Sequence, residues 1–194
     1  MNVRFNPNLY RRPRSIPVLV LMDMQREYAV PGRPHALPGI EPALANCRRA
    51  VTHARSVGIP VAYLRWIGAS TFQAGSRFAR WIEGFEPQGC DALFDRDRPS
   101  AFASPAFADS AERGAVPLVL AGFSGEAACL ATAIDGFHRG LEIVFLGDAS
   151  ASHGLADLPS DTVHHAVCEM MRAFADVTDT TSWIARTNAA IDAR

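Results

Sequence analysis

The chain has 194 residues, 48% of them apolar and 20% charged, and its net charge at pH 7 is −1. These values predict one ordinary globular domain over 1–194, with 1–14 as an N-terminal extension, and they give no electrostatic case for nucleic acid or an anionic membrane as partner. All 19 basic side chains are arginine, which excludes a Gly-Lys-Ser/Thr phosphate loop, a Schiff-base lysine and a Ser-Lys pair.

Arg11, Arg12 and Arg14 precede an apolar run that Asp23 interrupts, and the run is too short for a signal peptide or a membrane span. That run, 17–22, predicts a fully buried strand. A helix over 41–57 follows, with Pro42 in its first turn, Gly58 past its end, and Ile40, Leu44, Cys47, Val51 and Ala54 on its apolar face. Residues 59–64 predict a second strand. The stretch 66–90 reads as irregular, with a short helix around 76–81. A short strand over 92–94 and a helical turn near 107–113 lead to a strong fourth strand over 116–121. The next helix, 126–139, places Leu130, Ile134 and Phe137 on one face and closes at Gly140. A fifth strand over 141–146 precedes a helix over 162–175 with Val163, Ala166, Val167, Met170 and Phe174 inward. A last strand near Val177 and a helix from about Ser182 end the pattern.

Continuous apolar strands alternating with helices mean a parallel sheet covered on both faces. The fold class expected is α/β: a three-layer α/β/α sandwich with a mainly parallel sheet of roughly six strands. Ligands in such folds bind at the carboxyl ends of the strands. Asp23, Arg65, Trp66, Arg96, the run 122–129 and Asp148 stand at those ends. Cys47, Cys90, Cys129 and Cys168 show no CxxC spacing, so neither a disulfide framework nor a zinc site is expected, and reduced thiols in the cytoplasm are the default.

Asp23 follows the first apolar run directly. A carboxylate there is costly unless it is paired or in use, and its pKa would be set by burial against a nearby cation. The run 122–129 leads from a strand into a helix, a turn whose N–H groups can form an oxyanion site. It holds two nucleophile candidates. Ser124 misses the Gly-x-Ser-x-Gly elbow because position 126 is Glu, and a turn or cap role is the commoner use of such a serine. Cys129 sits just inside the helix, where a small buried hydrophobe is the commoner role.

Several segments together carry a resemblance: Leu-Met-Asp23-Met-Gln-Arg-Glu-Tyr28, Arg96 before Ser100-Ala101-Phe102, Leu-Val-Leu-Ala-Gly122 with Thr132-Ala133-x-Asp135, and Glu169-Met-Met-Arg-Ala-Phe-Ala-Asp-Val with two threonines. Their order and spacing over roughly 15–184 resemble the isochorismatase-like hydrolases of the cysteine hydrolase superfamily. The resemblance implies a mainly parallel sheet flanked by helices, and a site of Asp, Lys and a nucleophilic Cys. The Asp maps onto Asp23, and the Lys position holds Arg96. Counting from either Gly122 or Thr132, the Cys position is Ala128, leaving Cys129 one residue out of register. One residue on a helix is a rotation of about 100°, which a one-residue bulge in the turn could undo.

The isochorismatases proper, which the resemblance includes, carry a small residue at that position. They cleave a vinyl ether with the strand-end Asp protonating the alkene carbon. The substrate-side residues expected are Gln25, Tyr28, Trp66, Phe123, Ser124, Gly125 and Ala128: Tyr28 stands where the resembling family sets an aromatic over its substrate, whereas the isochorismatases' own substrate-side residues are not evident in Phe123-Ser124-Gly125. The resemblance also implies a cis peptide at Phe123–Ser124. Relatives that bind metal do so through histidines after the second strand. Here that segment, Arg65-Trp-Ile-Gly-Ala-Ser-Thr, has none, so no metal is expected, and no cofactor. The partner expected is a small-molecule substrate, with no nucleic acid and no membrane, in a homo-oligomer (dimer or tetramer).

The favoured reading is hydrolysis by Asp23 and Arg96 without a thiol. The alternatives are a thiol amidohydrolase using Cys129, a silent relative that only binds a ligand, and a serine hydrolase built from Ser124, Asp148 and His164.

Overall fold

A computed structural model gives the structure of residues 16–192; the N-terminal extension with Arg11, Arg12 and Arg14 lies outside the described residues. The first apolar run forms strand β1 (Val18–Met22). Because side chains alternate across a strand, it must be covered on both faces. Leu19 and Leu21 enter one apolar cluster, and Val20 and Met22 enter another on the opposite face.

The sheet has six strands in the order β3-β2-β1-β4-β5-β6, all pairs parallel. The other strands are β2 (Val61–Trp66), β3 (Ala92–Arg96), β4 (Leu118–Gly122), β5 (Ile143–Ser150) and β6 (Asp176–Thr178). One face is covered by helices α2 (Glu41–Ser56) and α6 (Thr180–Asp192); the other carries α3 (Pro105–Gly114), α4 (Leu130–His138) and α5 (Ser160–Met171). A one-turn helix, α1 (Arg26–Ala29), follows β1. Chain order runs outward from β1 to β3 on one side and from β4 to β6 on the other. The order therefore reverses between β1 and β4, and that is where Met22 and Gly122 end their strands.

The α/β sandwich and the sixfold sheet are as the sequence predicts, and α2 buries Leu44, Cys47, Val51 and Ala54 as its spacing requires. Three local expectations are corrected. No helix forms around 76–81. The backbone there bonds instead to the segment after β1: Arg26 and Glu27 N–H reach the Arg80 and Phe78 carbonyls at 2.9 Å, and Ile82 N–H reaches Met24 at 2.8 Å.

In α4 the inward residues are Thr132, Ala133 and Gly136, while Phe137 is 49% exposed. The helix lies so close to the sheet that a Cβ on Gly136 would sit 2.6 Å from Ile143 Cδ1, so only small residues fit. In α5 the buried row is Val163, Val167 and Met171, spaced by one helical turn; Ala166 and Met170 face out. Among the described residues, no helix is long and apolar enough to cross a membrane.

Candidate active site

Asp23 is the first residue past β1, with φ 47, in the left-handed region that few non-glycine residues adopt. Its N–H still completes the ladder to the Leu64 carbonyl at 3.0 Å. The turn this produces sends the carboxyl under the ends of β2 and β3, where Arg96, the last residue of β3, meets it. Arg96 Nη2 donates to Asp23 Oδ2, and both side chains are 0% exposed. Nη1 donates to the Arg98 carbonyl, and the guanidinium lies 4.8 Å from the Trp66 ring. Asp23 Oδ1 and Arg96 Nε are buried with no hydrogen-bond partner. Burial pushes the Asp23 carboxyl up to about 6, against the lowering effect of the Arg96 charge.

The opposite wall is the turn after β4. Gly122 has φ 103, and a Cβ there would lie 2.2 Å from the Met22 carbonyl oxygen. Only glycine lets the ends of β1 and β4 come this close. The Phe123–Ser124 peptide is cis, at the place the resemblance indicates. The chain then makes a wide turn, Gly125–Cys129, in which Cys129 N–H reaches back five residues to the Ser124 carbonyl at 3.1 Å. Thr132 ties this turn to the loop after β3: its Oγ1 donates to the Ala128 carbonyl at 2.7 Å and accepts from Ala101 N–H at 2.9 Å.

Ala128 and Cys129 are both buried. The Cys129 thiol is 3.6 Å from the Gly122 carbonyl, to which it donates, and 3.9 Å from Ser150 Oγ. Burial pushes it up to about 12, with Asp23 and Glu126 acting in the same direction. A thiol held in that form is a poor nucleophile at neutral pH.

The remaining candidate residues take different parts. Tyr28 and Phe123 are buried with ring centroids 5.9 Å apart, and burial together with the Asp23 charge raises the Tyr28 phenol well above its usual range. Trp66 is half-buried beneath Arg96. Gln25 is fully buried, and its amide is committed to backbone: Nε2 donates to the Trp66 and Ala79 carbonyls at 3.0 Å, and Oε1 accepts from Trp66 N–H at 2.9 Å. It therefore anchors the Trp66 wall. Gly125 packs against Ser150, Ser152 and His164.

The serine-hydrolase grouping does not assemble. His164 is engaged by Ser152 Oγ at 2.9 Å and the Gly147 carbonyl at 2.8 Å, and Asp148 accepts from Thr180. Among the described residues, no cluster of three or more His, Cys, Asp or Glu could hold a metal.

Glu126, His153, His35 and Phe72 also surround Tyr28, and the sequence reading did not select them. In the sequence Glu126 stands out only as the residue that spoils the Gly-x-Ser-x-Gly elbow. The two histidines come from loops 118 residues apart in the chain, so no local spacing could pair them.

The isochorismatase domain family model matches residues 17–182. The chain is 26% identical over 164 residues to the secreted isochorismatase effector Isc1 of Verticillium dahliae, covering 82% of this chain and 84% of that protein. It is 24% identical over 193 residues to the ureidoacrylate amidohydrolase RutB of Methylobacterium radiotolerans, covering 80% and 73%. Among solved structures, an isochorismatase from Pseudomonas putida KT2440 superposes with a TM-score of 0.81 at 25% identity, over 90% of this chain and 95% of that one. The domain match over most of the chain, with the same fold around the switch point that holds Asp23, establishes that this chain belongs to the isochorismatase family.

Proposed function

We propose that the chain hydrolyses a small metabolite, a vinyl ether or an amide, with Asp23 as general acid and no thiol nucleophile. The observation that carries this reading is the asymmetry of the site: Asp23 offers a buried, unpartnered Oδ1, while the Cys129 thiol is turned onto the Gly122 carbonyl. For a vinyl ether, the protonated Asp23 gives its proton to the terminal alkene carbon, and the ether oxygen's electron pair stabilises the resulting cation. Water adds to the cationic carbon and loses a proton to the Asp23 carboxylate. The hemiacetal or hemiketal so formed breaks its carbon–oxygen bond to give a carbonyl product and an alcohol. Arg96, always charged, holds the carboxylate in place between these two proton transfers and cannot itself supply the proton. The cycle needs neither metal nor cofactor.

The working form of a general acid is the protonated one, present below its pKa. With Asp23 at about 6, kcat/KM for a vinyl ether falls about tenfold per pH unit above that value. The test is turnover across a panel of small vinyl ethers and amides. Asp23→Asn is expected to lose about 100-fold or more in kcat, while Cys129→Ser stays within a few-fold of the parent. Intact turnover in Asp23→Asn, or abolished turnover in a folded Cys129→Ser, contradicts the proposal.

The four free thiols support the cytoplasm as the compartment. The exposed Phe137 and Met170, on neighbouring helices α4 and α5, support a homo-oligomer.

A further inference from the structure

The hydrolytic step leaves a second carboxylate unused. Glu126 has a side chain only 16% exposed, and its Oε1 lies 2.7 Å from His153 Nδ1. His153 Nε2 in turn lies 3.1 Å from the His35 carbonyl oxygen. A carboxylate and a carbonyl can only accept, so both ring nitrogens of His153 must donate, which makes it an imidazolium. The pair is ionic, and the shifts agree in sign: the Glu126 hydrogen bond raises His153, and against the upward push of burial the His153 hydrogen bond lowers Glu126. Both imidazolium donors are thereby spent. Glu126 Oε2 remains buried with no partner.

Glu126 belongs to the turn Gly125–Cys129 that follows β4, beside the end of β1 that carries Asp23. The charges of Asp23, Arg96 and Glu126 all act on the Tyr28 phenol, and the Tyr28 ring lies 6.3 Å from that of His153. Among the described residues, the cations that touch these two carboxylates are Arg96 on Asp23 and His153 on Glu126. Arg96 is held by Asp23 and the Arg98 carbonyl, and His153 by Glu126 and the His35 carbonyl. Beside Asp23 the Arg96 Nε is left without a partner, but at Glu126 the spare group is an acceptor, Oε2, and the cation next to it, His153, has both of its donors committed.

We propose that Glu126 determines specificity: its free Oε2 accepts a hydrogen bond from a hydroxyl, amide N–H or ammonium group of the substrate, so that the site takes neutral or cationic donors and refuses a carboxylate at that position. This rests on Asp23 marking the site, as proposed above, and adds the class of substrate.

Three matched ethers test it by ligand-observed NMR, without turnover: 2-ethoxyethylamine, 2-ethoxyethanol and ethoxyacetate. The parent protein is expected to bind the amine and the alcohol about tenfold or more tighter than the acid, as for one charge-assisted hydrogen bond. Glu126→Gln is expected to erase the preference for the amine. Equal or tighter binding of ethoxyacetate, no binding of any of the three, or the same ranking in Glu126→Gln overturns the proposal. The parent ranking decides by itself should the variant fail to fold. The two readings fail separately: intact turnover in Asp23→Asn with the ranking preserved removes the Asp23 mechanism alone, and a lost ranking with Asp23→Asn inactive removes the Glu126 assignment alone.

Discussion

Arg96 does three things at once: it pairs with Asp23, bonds the Arg98 carbonyl and lies over the Trp66 ring. A lysine ammonium is a point charge on a flexible stem and cannot span these partners together. In a chain without lysine, the acid is thus held by a residue that fixes it more rigidly and has no proton to exchange. Removing it strands a buried carboxylate. Arg96→Met is expected to cost about 3–5 kcal/mol of stability, read as a lowered urea midpoint with an unchanged slope. A loss below about 1 kcal/mol would show that solvent reaches the pair. The Asp23 position was readable from sequence because a charge ending an apolar strand needs a reason. The Glu126–His153 pair was not readable, because its members meet only through the folding of distant loops.

At the scale of elements, the site depends on how β1 and β4 end side by side. The turn after β4 was expected as an ordinary helix start, with a one-residue bulge as the means of bringing Cys129 into register. The wide turn Gly125–Cys129 does contain the extra residue, yet the thiol bonds toward Gly122. A widened turn leaves no trace in hydrophobic spacing, so the sequence could raise the possibility and not decide it.

The helices α4 and α5 teach the same lesson. Their existence follows from apolar periodicity, while their inward faces were set by how closely α4 sits on β5, which excludes large residues at Gly136. Gly122→Ala places a Cβ against backbone at a φ that alanine rarely adopts. It is expected to cost at least about 2 kcal/mol, seen as a drop in thermal midpoint. Gly125→Ala meets only side-chain atoms and is expected to cost less. A neutral Gly122→Ala would contradict the close approach of the two strands.

At the scale of the whole molecule, the sheet order and its reversal between β1 and β4 were legible in outline from alternating strands and helices. That outline points to the candidate site: Asp23 and the turn after Gly122 follow the two strands beside the switch point, and Trp66 and Arg96 end β2 and β3. What composition could not show is the surface on α4 and α5, where Phe137 and Met170 stay exposed at 49% and 52%. If a second copy covers them, light scattering detects a dimer or tetramer, and Phe137→Glu with Met170→Glu shifts it to a smaller species; a monomer in the parent protein removes the homo-oligomer. The central claim is that burial raises Asp23 far enough for it to hold and donate a proton at mildly acidic pH. The most direct test is the ionisation of that carboxyl, followed by carbon-13 NMR of the folded protein and assigned with Asp23→Asn. The expected midpoint is about 6; a midpoint at or below the ordinary aspartate value of 3.8 would show that the Arg96 charge outweighs burial and that Asp23 holds no proton to give.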